Sequence, residues 1–136
     1  MDHHNQLSDT EFQLKFEAGS LPPALFSHEA HIRLAWLQIR EYGLESAIER
    51  VCKQLINYVT MVGATDKYHA TLTVAAVKIV NHFLQKSRSD NFSGFIREFP
   101  VLISNFKGLL AAHYSIDIFN SPRAKKEYME PDIPFE

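Results

Sequence analysis

Apolar residues recur along this chain at three- and four-residue spacings, the period of helices buried on one side, and Gly and Pro mark the breaks. Residues 8–18 read as a first helix. Ser8 is placed as its N-cap, Glu11 completes a capping box, Phe12 and Phe16 share one face, and Gly19 stops it. Leu21-Pro22-Pro23 is a rigid connection that cannot continue a helix. A second helix is predicted from an N-cap at Ser27 to Tyr42, ending at Gly43. Its stripe is Ile32, Ala35, Ile39 and Tyr42, continued into the first turn by His28 and His31, with Trp36 at the margin.

A third helix over 45–61 presents Ile48, Val51, Leu55, Tyr58 and Val62, and Gly63 ends it. Thr65 or Asp66 is the predicted cap of a fourth, running to about Lys86. Its inner face is His69, Leu72, Thr73, Ala76, Val80 and Phe83, leaving Val74, Lys78, Asn81 and His82 on other faces. Residues 87–91 form a polar loop. The rest is broken: Phe92, Phe95 and Phe99 lie in an irregular stretch, short helices are expected at 100–106 and 108–114, Ser121-Pro122 opens a last one, and 129–136 reads as an extended tail. With no strand pattern and no repeat, the expectation is one all-α domain over 1–136: a bundle of about four main helices plus short C-terminal helices, with 1–7 flexible.

Bulk properties narrow the function. A chain of 136 residues suits one core, and a net charge of -2 gives no electrostatic case for nucleic acid. Cys52 is the only cysteine, so no intrachain disulfide can form, and its apolar helical setting marks it as core rather than nucleophile. No apolar run suits a membrane span, and the polar start lacks a leader's apolar region, so the expected location is the cytoplasm. His3 and His4 read as a frayed end.

Chain topology collects the remaining histidines. Short connections make helices two and three antiparallel, and likewise three and four, so helices two and four begin at the same end. His28, His31 and His69 then meet there, facing inward, and His113 joins them if the broken segment returns to that end. His82 points elsewhere. Imidazoles near helix N-termini are held neutral, the form that ligates a metal or acts as a base. Such a set suits a divalent ion such as Zn or Fe, with Glu17, Glu29, Asp66 and Asp117 as further carboxylates. Arg33 could hold an anion, Tyr68 offers a phenol at the rim, and Thr73, Tyr114 and Ser115 line the mouth. A nucleophile elbow, a P-loop and a dinucleotide fingerprint are all missing, so no catalytic residue is assigned and enzyme activity stays open. Buried histidines bonded to carbonyls remain the structural alternative.

Several stretches resemble a family of small, uncharacterised bacterial all-helical proteins: Phe26-Ser27-His28-Glu29-Ala30-His31-Ile32-Arg33-Leu34-Ala35-Trp36, Lys67-Tyr68-His69-Ala70-Thr71-Leu72-Thr73, Tyr114-Ser115, Ser121 to Lys125, Pro131-Asp132 and Phe16 to Pro22. The similarity runs over nearly the whole chain. That family has no established activity, so the resemblance implies relatives and a linked trio His28, His31 and His69, not a reaction. The family pattern commonly carries Glu where this chain has Ala70, and Tyr where it has His113.

Two readings follow. One is a histidine-lined pocket that binds a divalent metal, or a metal-dependent enzyme with an open coordination position. The other is a non-catalytic module that binds a small molecule or a protein. A homodimer is a further expectation, because 16 aromatic residues (ten Phe, five Tyr, one Trp) exceed the apparent needs of a small core.

Overall fold

The computed structural model describes residues 3–134 and is all-helical. Four longer helices come first: α1 (Asp9–Glu17), α2 (His28–Tyr42), α3 (Leu44–Met61) and α4 (Ala70–Leu84). Four short ones follow: α5 (Phe92–Glu98), α6 (Val101–Ser104), α7 (Phe106–Ala111) and α8 (Pro122–Lys126). Helices α2, α3 and α4 pack mutually, and α1 leans on α3. Among the described residues, no helix is long and apolar enough to cross a membrane.

Local chemistry explains the boundaries. At α1 the Ser8 hydroxyl accepts the Glu11 N–H while the Glu11 carboxylate accepts the Ser8 N–H, a complete capping box. Gly19 then turns at φ 75°, a left-handed conformation that L side chains rarely adopt. A Cβ there would also overlap the side chain of Met61, so the glycine lets α1 approach the end of α3. The Ser27 hydroxyl caps α2 by accepting the Ala30 N–H.

Helix α2 departs from its one-sided reading. Nine of its residues are buried, from Ala30 through Ile39, and Trp36 is fully enclosed rather than marginal. Tyr42, placed on the inner stripe, is 42% exposed. This is the central helix, covered on all sides. Its polar positions hid that: Arg33 and Gln38 are buried but bonded, Gln38 to Gln13, Gln54 and Arg50. Helix α4 also buries a second face, Val74 included, because α8 packs on it and the Thr71 hydroxyl donates to the Glu127 carbonyl.

The phenylalanine-rich segment is helical. In α5, Phe92 and Phe95 are buried beside Trp36, and Phe99 packs on Phe83. Every described phenylalanine lies in or against the core, while the aromatic ring of Tyr42 is exposed. The N-terminal segment is anchored too: His4–Gln6 forms a short 3-10 helix, and His4 is 1% exposed where a frayed end was expected. Met1, Asp2, Phe135 and Glu136, which belong to the segments expected to be flexible or extended, lie outside the described residues.

Candidate functional site

The first turns of α2, the second half of α3 and the first half of α4 form the walls of an apolar cavity that stays partly open to solvent, with α6 and α7 contributing to its lining. Its volume is about 780 Å³, within the range of small-molecule sites. Leu55, Val59, Leu72, Val77, Ile103 and Leu110 contribute to its walls. Of the residues singled out from sequence, His28, His31, His69, Tyr68 and Thr73 line it, whereas Arg33, His113 and Tyr114 do not.

The three imidazoles have different tasks. His69 is the N-cap of α4: its Nδ1 accepts the Leu72 N–H at 3.1 Å. The proton therefore sits on Nε2, which donates to the Ile118 carbonyl at 3.0 Å. Both nitrogens are occupied in building the site. The predicted caps, Thr65 and Asp66, instead belong to a single 3-10 turn, Thr65–Lys67, ahead of the helix. Histidine is a weak cap signal beside Thr and Asp, which is why the sequence placed the start too early. His28 Nε2 donates to the Leu102 carbonyl at 2.9 Å, and its ring meets Phe106 at 4.9 Å. That contact ties α2 to the α6–α7 segment that contributes to the lining.

His31 is different. Its ring stacks on Phe26 with centroids 3.9 Å apart. Neither ring nitrogen has a hydrogen-bond partner among the described residues. The side chain is accessible and lines the cavity. Surrounding apolar groups, and then the nearby His28, hold its pKa down to about 4. At neutral pH it is an uncharged imidazole that presents one donor and one acceptor.

Across the cavity Tyr68 sits beside Cys52 and Thr73, and burial pushes its phenol well above the ordinary range. Burial likewise raises the Cys52 thiol, which favours its protonated form. The Thr73 hydroxyl donates to the His69 carbonyl at 2.7 Å. Ala70, where the resembling family commonly has Glu, is buried at the start of α4 and does not line the cavity.

The remaining candidates do structural work elsewhere. Arg33 donates to the His4 carbonyl at 2.7 Å, the Leu7 carbonyl at 2.9 Å and Asp9 at 2.8 Å. It holds the N-terminal segment rather than an anion. Tyr114 donates to the Met129 carbonyl and His113 Nδ1 to the Ile133 carbonyl, while the Asp132 carboxylate accepts the Ser115 N–H. This group fastens the C-terminal tail.

Among the described residues, the grouping of His, Cys, Asp or Glu donors compact enough for a metal is His3, His4 and Glu29, not the cavity histidines. His4 Nε2 lies 2.6 Å from Glu29 Oε2, and His3 Nε2 lies 3.6 Å from the same oxygen. Arg33 argues against an ion there. Its Nη1, 3.2 Å from His4 Nδ1, requires that nitrogen to accept, which puts the proton on Nε2, the atom that would ligate. The guanidinium adds positive charge beside the site. Sequence reasoning missed this cluster, of which only His4 is buried; the signal that could have found it is Leu7 before the Ser8 cap with Phe12 after it, the pattern of a hydrophobic staple that orders the preceding chain.

Two lining residues were also missed, Lys67 and Lys107. No family profile matches the chain, and no curated protein or solved structure does either.

Proposed function

We propose that this protein binds a small, mainly apolar organic molecule in the cavity between α2, α3 and α4, and that His31 meets its polar atom. The observation that carries this reading is the cavity of about 780 Å³, largely apolar in its lining, with His31 on that lining as an exposed, uncharged imidazole unpartnered within the described residues. A polar group in an apolar cavity is stabilised when a ligand completes its hydrogen bond. Water does so when the cavity is wet, and an organic ligand does so while also burying the walls.

A divalent metal at His28, His31 and His69 is the second reading, and the ring contacts favour it less. His69 has both nitrogens engaged and His28 has Nε2 on a carbonyl, which leaves too few lone pairs for a stable site without rearrangement. Should the bound molecule be a substrate, His31 is the residue placed to take a proton from it. The chain offers no second group that fixes a reaction, so binding is the function we assign.

Fluorescence titration with Nile red, a neutral apolar dye, tests this. The expected result is saturable binding near one dye per chain, unaffected by EDTA and abolished by Ala76→Phe, which fills the cavity from the wall of α4. Equal binding by wild type and by a cooperatively folded Ala76→Phe variant would overturn it, as would binding that requires a metal.

A further inference from the structure

The cavity has a charge signature that its apolar walls conceal. The chain as a whole is acidic, with a net charge of -2. Yet the lining contains Lys67 and Lys107 and not one aspartate, glutamate or arginine. Lys67 sits in the 3-10 turn before α4, its side chain exposed and without an ion-pair partner among the described residues. Lys107 is the second residue of α7 and lies 5.0 Å over the ring of Phe119, itself a lining residue. Lys107 attracts the Asp117 carboxylate, which is not a lining residue and whose oxygens accept the Phe119 N–H and the Asn120 amide. His69, bonded to Ile118 in the same 3-10 turn as Phe119, joins the Lys67 side of the opening to the Lys107 side. Two exposed lysines are thus the charged members of an otherwise largely apolar lining.

On the reading that the cavity binds an organic molecule, we infer that its ligand class is an amphipathic carboxylate: an acyl or aryl body against the α2–α3–α4 walls, with the carboxylate at Lys67 and Lys107. Phosphate fits less well. It is held by arginine forks or by unoccupied helix N-terminal amides. The lining has no arginine, and one first-turn amide in each of α2, α4 and α7 is already taken by Ser27, His69 and Asn105. Two point charges without an N–H cradle match one singly charged head. The neutral His31, exposed like the two lysines, then hydrogen-bonds a second polar atom of the ligand.

Calorimetric titration of the full chain with decanoate and with decanol at pH 7.5, in low and in high salt, separates this inference from the reading beneath it. Decanoate is expected to bind about tenfold more tightly than decanol at low salt, with the gap narrowing as salt is raised. In Lys67→Gln/Lys107→Gln the preference disappears while decanol binding is unchanged, which also shows that the double variant is folded. Decanol binding as tightly as decanoate overturns the carboxylate inference and leaves the cavity reading standing. So does a preference that survives in the double variant. Failure of both probes to bind overturns both readings.

Discussion

The ring of His31 stacks on that of Phe26, 3.9 Å between centroids, and lines the cavity with neither nitrogen bonded to another described residue. The two other lining histidines are fixed by backbone groups, His28 by the Leu102 carbonyl and His69 by the Leu72 amide and the Ile118 carbonyl. Two histidines thus shape the cavity and one is left to serve what enters it.

That division predicts an acid-sensitive stability. With the folded pKa of His31 near 4 and the unfolded value near 6.5, the unfolded chain binds more protons at every pH between them. Its contribution is intact above about pH 6.5 and is lost progressively as pH falls toward 4. In NMR titrations the His31 ring resonances are expected to move with a midpoint far below that of a free histidine. A midpoint above 6 would contradict the neutral imidazole on which the binding argument rests.

His69 acts through structure. Replacing it by Ala removes the α4 cap and leaves the Ile118 carbonyl without its donor. The expected loss is about 2 kcal/mol, the sum of a cap and one hydrogen bond. His69→Asn keeps a capping oxygen and recovers about 1 kcal/mol of that. Urea unfolding of the three proteins measures this. Asn and Ala variants of equal stability would show that the cap contributes nothing.

Arg33 ties the first residues to the bundle. In Arg33→Met the carbonyls of His4 and Leu7 and the carboxylate of Asp9 lose their donor, at a cost of about 2 kcal/mol. Amide exchange across residues 4–7 should rise sharply while exchange in α3 and α4 keeps its pattern. Unchanged protection of residues 4–7 would refute the anchoring role.

Filling the cavity separates packing from binding. Ala76→Phe places a ring in open space, so its thermal midpoint should stay at or above that of wild type, unlike an overpacked core position. Ala75→Phe, at a fully buried site that does not line the cavity, should instead lose about 2 kcal/mol. Equal losses at the two neighbours would mean that the space beside Ala76 is not available.

The architecture was legible where periodicity and caps agree. Ser8 with Glu11, Ser27, Gly19 and Gly43 mark the ends of α1 and α2, and the inner face of α3 follows Val51, Leu55 and Tyr58. The convergence of His28, His31 and His69 on one end also followed from chain direction and short connections. What eluded the sequence depends on partners distant along the chain. Arg33 points away from the cavity because the His4–Leu7 segment docks behind α2. His113 faces the tail because Ile133 returns to it. Lys67 and Lys107 reach one cavity from positions 40 residues apart (107 minus 67), which no periodicity connects.

The most direct test of the account is methyl NMR of the protein titrated with decanoate, reading each leucine, valine and isoleucine separately. The account predicts saturable shifts concentrated on Leu55, Val59, Leu72 and Ile103 within the cavity, with exposed Leu14 and Ile56 unmoved. Shifts confined to Leu14, Ile56 and other surface methyls, with the cavity methyls silent, would contradict it.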